Sequence, residues 1–233
     1  MATKKPKVNE EIIETNVSED TKEPMYEIRE CEQSVATSSN FTYGFEESLA
    51  MEDISNRNLY INGEITPETF QHIYYFVTRY NEEDIGIEVD KRKPIRLHIS
   101  TVGGSVWDGL GICNILQNST TPVVGICSSY AASMGFLIFI SCHLRYATEN
   151  AFFLNHEGYD GDYGHPSKIR DYLTFSDKLK ERVNRLITRN TKLTARDLKD
   201  DERIENYFFA DEAKDMGVVD YIIGQDCTLD EIL

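Results

Sequence analysis

Positive charge is scarce in this sequence. Lys and Arg number 24 against 40 Asp and Glu, a formal net charge of -16 over 233 residues. Such a surface repels phosphate backbones and anionic lipid, which argues against nucleic acid and membrane surfaces as partners. Long apolar runs are also missing. The longest, MGFLIFIS from Met134 to Ser141, is far shorter than the roughly 18 residues of a membrane span. The five cysteines (Cys31, Cys113, Cys127, Cys142 and Cys227) form no C-x-x-C and no paired Cys/His spacing, so no structural zinc is expected. Three of them sit inside apolar runs, where a free thiol acts as a small hydrophobe, and the pattern suits a reduced, cytoplasmic compartment. The opening MATKKPKVNEE has basic residues but no apolar stretch after them, so a signal peptide is not expected. No G-x-x-x-x-G-K-[ST] occurs, and no internal repeat.

What is present falls into two parts. Residues 1–52 are rich in Glu, Lys, Thr and Ser without a sustained period. They cannot bury enough apolar surface to offset their ordering entropy, and an acidic, disordered tail is expected. Residues 53–233 alternate between strand and helix patterns, an α/β arrangement of one domain. NLYINGEI reads as a strand and turn, and TPETFQHIYYFVTRYN as a helix with Thr66 at the N-cap and Pro67 at the first position. Phe70, Ile73, Tyr74 and Val77 form its apolar face. IRLHIS reads as a strand that TVGGSVWDG breaks before a helix to about Asn118. PVVGICSS has the continuous apolar character of a strand buried on both faces, and MGFLIFISC follows as a helix. LRYAT and AFFLNH are further strands. From Ser167 to Asn190 runs a long amphipathic helix, with Ile169, Leu173, Leu179, Val183 and Leu186 on the side expected to be buried. A short helix starts at Thr194, and DEAKDMGVVDYII supplies a last helix and strand.

Attack on an amide needs a nucleophile, a base, a group that orients the base, and donors for the oxyanion. Ser133, in SSYAASMGF, stands where a buried strand meets a helix whose first N–H groups are unpaired. Met134 N–H is one candidate donor there. Gly103 and Gly104 follow another strand and give a backbone able to approach a substrate closely. Of five histidines, His72 lies in an amphipathic helix, His98 in a strand, His143 at a helix end and His165 in a Gly/Tyr/Pro loop, all suited to structural or solvated roles. His156 ends the strand AFFLN where a loop begins, the place for a positioned functional residue.

TVGGSVWDG, SSYAASMGFL, NAFFLNHEG, the long helix and NYFFADEAKDMGVVDYII occur in that order from about Leu59 to Ile223. Together they resemble the proteolytic subunit of the Clp protease. The resemblance implies a ClpP/crotonase-like fold of repeated β-β-α units with a protruding handle helix, and serine endopeptidase activity without metal or organic cofactor. It makes Ser133 the nucleophile, His156 the general base, and Gly104 (with Gly103) and Met134 the oxyanion donors. The family's Asp corresponds to Glu205, which is one methylene longer; Asp201 and Asp171 are alternatives. The family's Pro before GG is Val102 here, and its Gln before AASMG is Tyr130. Gly158, Gly161 and Gly164 resemble the handle strand, which binds extended substrate by strand addition. The resemblance further implies a homo-oligomer of two stacked rings joined through the handle helix, unfolded polypeptides as substrates, and an ATP-dependent unfoldase as partner. The tail is longer and more acidic than the family's pore loops, which suits a propeptide or binding arm equally well.

Three other readings stay open. Glu205 and the tail suit a catalytically impaired structural or regulatory ring subunit, although such a subunit has no need of Ser133 with His156. A crotonase-type acyl-CoA enzyme shares the fold, but no basic cluster for a CoA phosphate is evident. A phage-type assembly-processing protease would share the chemistry and differ only in substrate.

Overall fold

The computed structural model describes residues 45–156, 158, 164–200 and 205–232, all within a compact unit from Tyr43 to Leu233. Along the chain come α1 (Phe45–Asn56), β1 (Asn58–Ile65), α2 (Pro67–Glu83), β2 (Ile95–Gly104), α3 (Val106–Gln117), β3 (Val123–Ala132) and α4 (Met134–Phe139). Then follow β4 (Leu144–Thr148), β5 (Phe152–His156), α5 (Pro166–Asn190), α6 (Ala195–Asp200), β6 (Glu205–Phe209), α7 (Ala210–Asp215) and β7 (Tyr221–Ile223). Helix α1 takes in the end of the segment read from sequence as tail, and the rest of that tail lies outside the described residues.

All seven strands join one mostly parallel sheet, so the α/β class holds. The order β1-β2-β3-β4-β7 is parallel throughout. On the edge away from β2, strand β3 serves two neighbours. Its first half, Val124 to Cys127, pairs with β4, and its second half, Tyr130 to Ala132, pairs with β5. Strand β6 then runs antiparallel to β5. This divergence at β3 opens the sheet at the level of Ser133, the next residue along.

Local chemistry explains most of the elements. Thr66 caps α2, its hydroxyl accepting from Thr69 N–H while Pro67 fills a position whose N–H needs no partner. Ile73, Val77 and Tyr80 form the buried face of α2, whereas Tyr74 is 49% exposed, one step around the helix from the expected stripe. Strand β2 does not break at TVGG. It continues to Gly104 because Glu64 and Ile65 of β1 pair with Gly103 and Gly104 after a bulge. Strand β6 has no counterpart in the sequence reading. Its five residues alternate exposed and buried and are held by pairing with β5.

The core gathers between the sheet and its helices, with Phe136, Phe139 and Phe153 fully buried at its centre. Cys113 and Cys127 lie within it, and burial pushes both thiols up to about 12, so they stay protonated and inert. The four cysteines among the described residues are unpaired. No helix among these residues is long and apolar enough to cross a membrane.

The long helix α5 is buried chiefly near its C-terminal end. Only Ile187 of α5 is buried, at 1% exposure, with Val183 and Leu186 partly covered. Leu173 is 58% exposed, and Ile169 and Leu179 are only half-buried. The apolar period is real, but among the described residues its cover is complete only near Ile187, and Leu173 is left largely exposed.

Candidate active site

Ser133 is set by a backbone that few residues adopt. Its φ of 55° and ψ of -121° lie outside the regions open to most L-residues, a strain of order 1–3 kcal/mol that the surroundings must hold. Two restraints hold it. The Ser133 N–H donates to Leu154 O at 2.9 Å, tying the turn to β5, and its carbonyl starts α4 by accepting from Phe136 and Leu137 N–H. The result is a tight strand-to-helix turn with the serine at its apex, the geometry that projects a nucleophile from a sheet.

The same pairing brings His156 to it. Ala132 pairs with Leu154 in the β3–β5 ladder, so the end of β5 overhangs the Ser133 turn. His156 Nε2 stands 2.7 Å from Ser133 Oγ, within hydrogen-bond reach across 23 residues of sequence. An imidazole in that place can take the hydroxyl proton as the oxygen attacks.

Glu205 enters through the second pairing. In the antiparallel β5–β6 ladder it is the direct partner of His156. Directly opposed residues share a face with their Cβ atoms roughly 4.5–5.5 Å apart, so the register sets the Glu205 and His156 side chains on the same face of the sheet. One Glu205 oxygen, Oε2, accepts a hydrogen bond from the Tyr207 hydroxyl at 3.1 Å. Asp201 lies outside the described residues, and Asp171 is exposed on α5.

The glycines do two different things. A Cβ on Gly103 would stand 2.7 Å from Ser133 Cβ and 3.1 Å from Met134 N, so only glycine lets β2 lie this close to the turn. Its φ of 105° is likewise glycine's own. The Gly103 N–H donates to Thr101 Oγ1 at 3.0 Å. Gly104 follows with φ 148°, packed against the Ile65 backbone so closely that a Cβ would come within 2.5 Å of Ile65 O. The Met134 N–H borders the space beside Gly103.

The other histidines are engaged elsewhere. His98 stacks on Tyr60 with ring centroids 4.8 Å apart, and burial holds its pKa below the usual value. His143 Nδ1 accepts from Val123 N–H, His165 Nδ1 from Ser167 N–H at the start of α5, and His72 lies against Phe76. Tyr130 stacks on Phe152 at 5.6 Å, while Val102 is 62% exposed beside the glycine pair. Of the glycines that the resemblance reads as a handle strand, Gly158 is exposed, Gly164 precedes α5 and Gly161 lies outside the described residues.

Thr101 and Tyr207 were not picked out from sequence. Thr101 also donates to Gly63 O, and this double contact fixes the glycine loop. The signal for Tyr207 was its spacing of two from Glu205 on a strand, visible only once ENYFF is known to be extended.

Residues 50–226 match the Clp protease family. The chain belongs to that family. It is accordingly a peptidase of the serine class, and the mixed α/β fold with its mostly parallel sheet accords with that membership.

Proposed function

We propose that this Clp protease family member is a serine endopeptidase that cleaves unfolded polypeptides inside an oligomeric chamber. The observation that carries the reading is the 2.7 Å contact between His156 Nε2 and a Ser133 Oγ held at a strained turn. A structural ring subunit has no use for that strain or for the imidazole on the hydroxyl.

In the mechanism this implies, Ser133 Oγ attacks the peptide carbonyl carbon while His156 Nε2 takes the hydroxyl proton. The carbonyl π-electrons move to oxygen, and the N–H groups of Gly104 and Met134 receive the oxyanion. Each such donor is worth on the order of 10² to 10³ in rate. Glu205 holds the imidazole and stabilises the imidazolium. Collapse of the intermediate breaks the C–N bond, and His156 returns the proton to the leaving amine. Water then attacks the acyl-enzyme by the same route and releases the carboxylate product and Ser133. No metal or organic cofactor takes part.

Assembly is part of the reading. A site with little side-chain selectivity is kept from folded proteins by enclosing it, and the outward apolar residues of α5, Leu173 and Phe175 foremost, suit contact between copies in stacked rings. An ATP-dependent unfoldase would supply extended chains, and the cytoplasm is the compartment proposed.

A serine-directed fluorophosphonate probe tests the chemistry. The wild type is expected to label, Ser133→Ala to take no label, and His156→Ala to label at least about 10³-fold more slowly. Glu205→Ala is expected to lie between. An oligomeric wild type that takes no label would remove the peptidase reading.

A further inference from the structure

The glutamate at position 205 has one more rotatable bond than an aspartate, and its residue is exposed. Left alone, such a carboxylate samples many rotamers, and few of them would face His156. Something must hold it if it is to orient an imidazole, because orientation tolerates little positional error.

Tyr207 is placed to do so. It lies two residues along β6 and therefore on the same face as Glu205, which the alternating exposure of β6 bears out. Its hydroxyl donates to Glu205 Oε2 at 3.1 Å. The ring is itself braced. Phe152 packs against it at 6.5 Å between centroids, and Tyr130 stacks on Phe152 from the other side at 5.6 Å and 17°. The ladder explains this line of rings: Tyr130 of β3 pairs with Phe152 of β5, and the adjoining strand β6 brings Tyr207 to the same face. The column starts three positions before Ser133 and ends on the carboxylate opposite His156.

We propose that Tyr207 is a positioning residue for the site, its hydroxyl holding one Glu205 oxygen so that the other is presented to the His156 imidazole. This rests on the peptidase reading above. Tyr130 and Phe152 act through the ring, fixing the hydroxyl from behind.

Tyr207→Phe is the test, since it deletes the hydroxyl and keeps the ring in its column. Labelling of Ser133 and kcat on a short peptide are expected to fall about 10-fold with KM unchanged, because only the orientation of the base is disturbed. In a Glu205→Ala background the same change is expected to alter the rate by less than about twofold, since there is no carboxylate left to hold. A merely structural tyrosine would cost the same factor in both backgrounds, and that result overturns the proposal. So does a Tyr207→Phe enzyme that labels and turns over at the wild-type rate, which would leave the peptidase reading standing. Failure of the wild type itself to label marks the loss of that underlying reading, and of this proposal with it.

Discussion

The buried charges of Arg57, just before β1, and Asp84, just after α2, find their partners within the chain, while along α5 and β6 apolar and aromatic groups face outward. Arg57, held at φ 60°, donates to both oxygens of Asp84 at 2.7 and 2.9 Å and to Lys93 O at 2.8 Å. Thr121 Oγ1 adds a third donor to Asp84 at 2.7 Å. Asn81 beside them accepts from Thr120 and Thr121 and donates to Val77 O and Ser119 Oγ. At the other region Trp107, Leu173, Phe175, Tyr207 and Phe209 are each between 45% and 59% exposed, and the rings of Trp107 and Phe175 meet at 5.6 Å. Buried charge has to be matched inside the chain, because an unmatched one is too costly to keep. Apolar surface can be left over for a partner. The difference separates what this chain satisfies by itself from the apolar surface it leaves uncovered.

Removing one side of the buried pair is the largest blow to the first region. Asp84→Ala leaves Arg57 buried without its carboxylate and is expected to cost about 4 kcal/mol in urea unfolding. The pH dependence follows from the same contact. Hydrogen bonding from Arg57 holds the Asp84 carboxyl below its ordinary pKa, with Thr121 adding to the effect. A depressed folded-state pKa gives stabilisation that is complete above the unfolded value and lost as pH falls through the folded one. The wild type should therefore lose stability in acid over that window. Asp84→Asn, which cannot titrate, should show a flatter acid limb. Equal acid limbs in the two proteins would mean that the pair does not set the stability of this region.

Within α5 the comparison is repeated on a single helix. Ile187 is buried against the core at the C-terminal end, and Ile187→Ala is expected to destabilise by about 3 kcal/mol through lost burial and the cavity left behind. A loss below about 1 kcal/mol would mean that the end of α5 is not anchored as the core packing implies.

What could be read from sequence divides along the range of the interactions. The Thr66–Pro67 start of α2 was legible because capping is settled within one turn. The continuous apolar character of β3 was legible because a central strand needs cover on both faces. Strand β6 was not, since ENYFF becomes a strand only by pairing with β5, some fifty positions earlier in the chain. The extension of β2 through Gly104 depends in the same way on Ile65 across the ladder. At the site, Ser133 and His156 stood out as strand ends, but their 2.7 Å contact, made across 23 residues, is not a local property. Periodicity found the stripe on α5 and left open what covers it. A 3.6-residue repeat says that one face is apolar and not which molecule covers it.

Leu173 gives the smallest expected effect on the chain and the sharpest test of the comparison. Both Leu and Gln are good helix formers, so Leu173→Gln changes little in α5 itself. The side chain is 58% exposed, and the stability of the unassembled chain should move by no more than about 0.5 kcal/mol. Under the proposed ring assembly, its effect belongs in the contact between copies. If this face joins copies, sedimentation at matched concentration should show the variant shifted toward smaller species, while urea unfolding of the dilute chain stays at the wild-type midpoint. A variant that assembles as the wild type does would mean that this turn of α5 lies outside the contact between copies. A drop in midpoint comparable to that of Ile187→Ala would mean that the chain packs the whole stripe itself, and the division between a self-sufficient region and an offered one would fail on this helix.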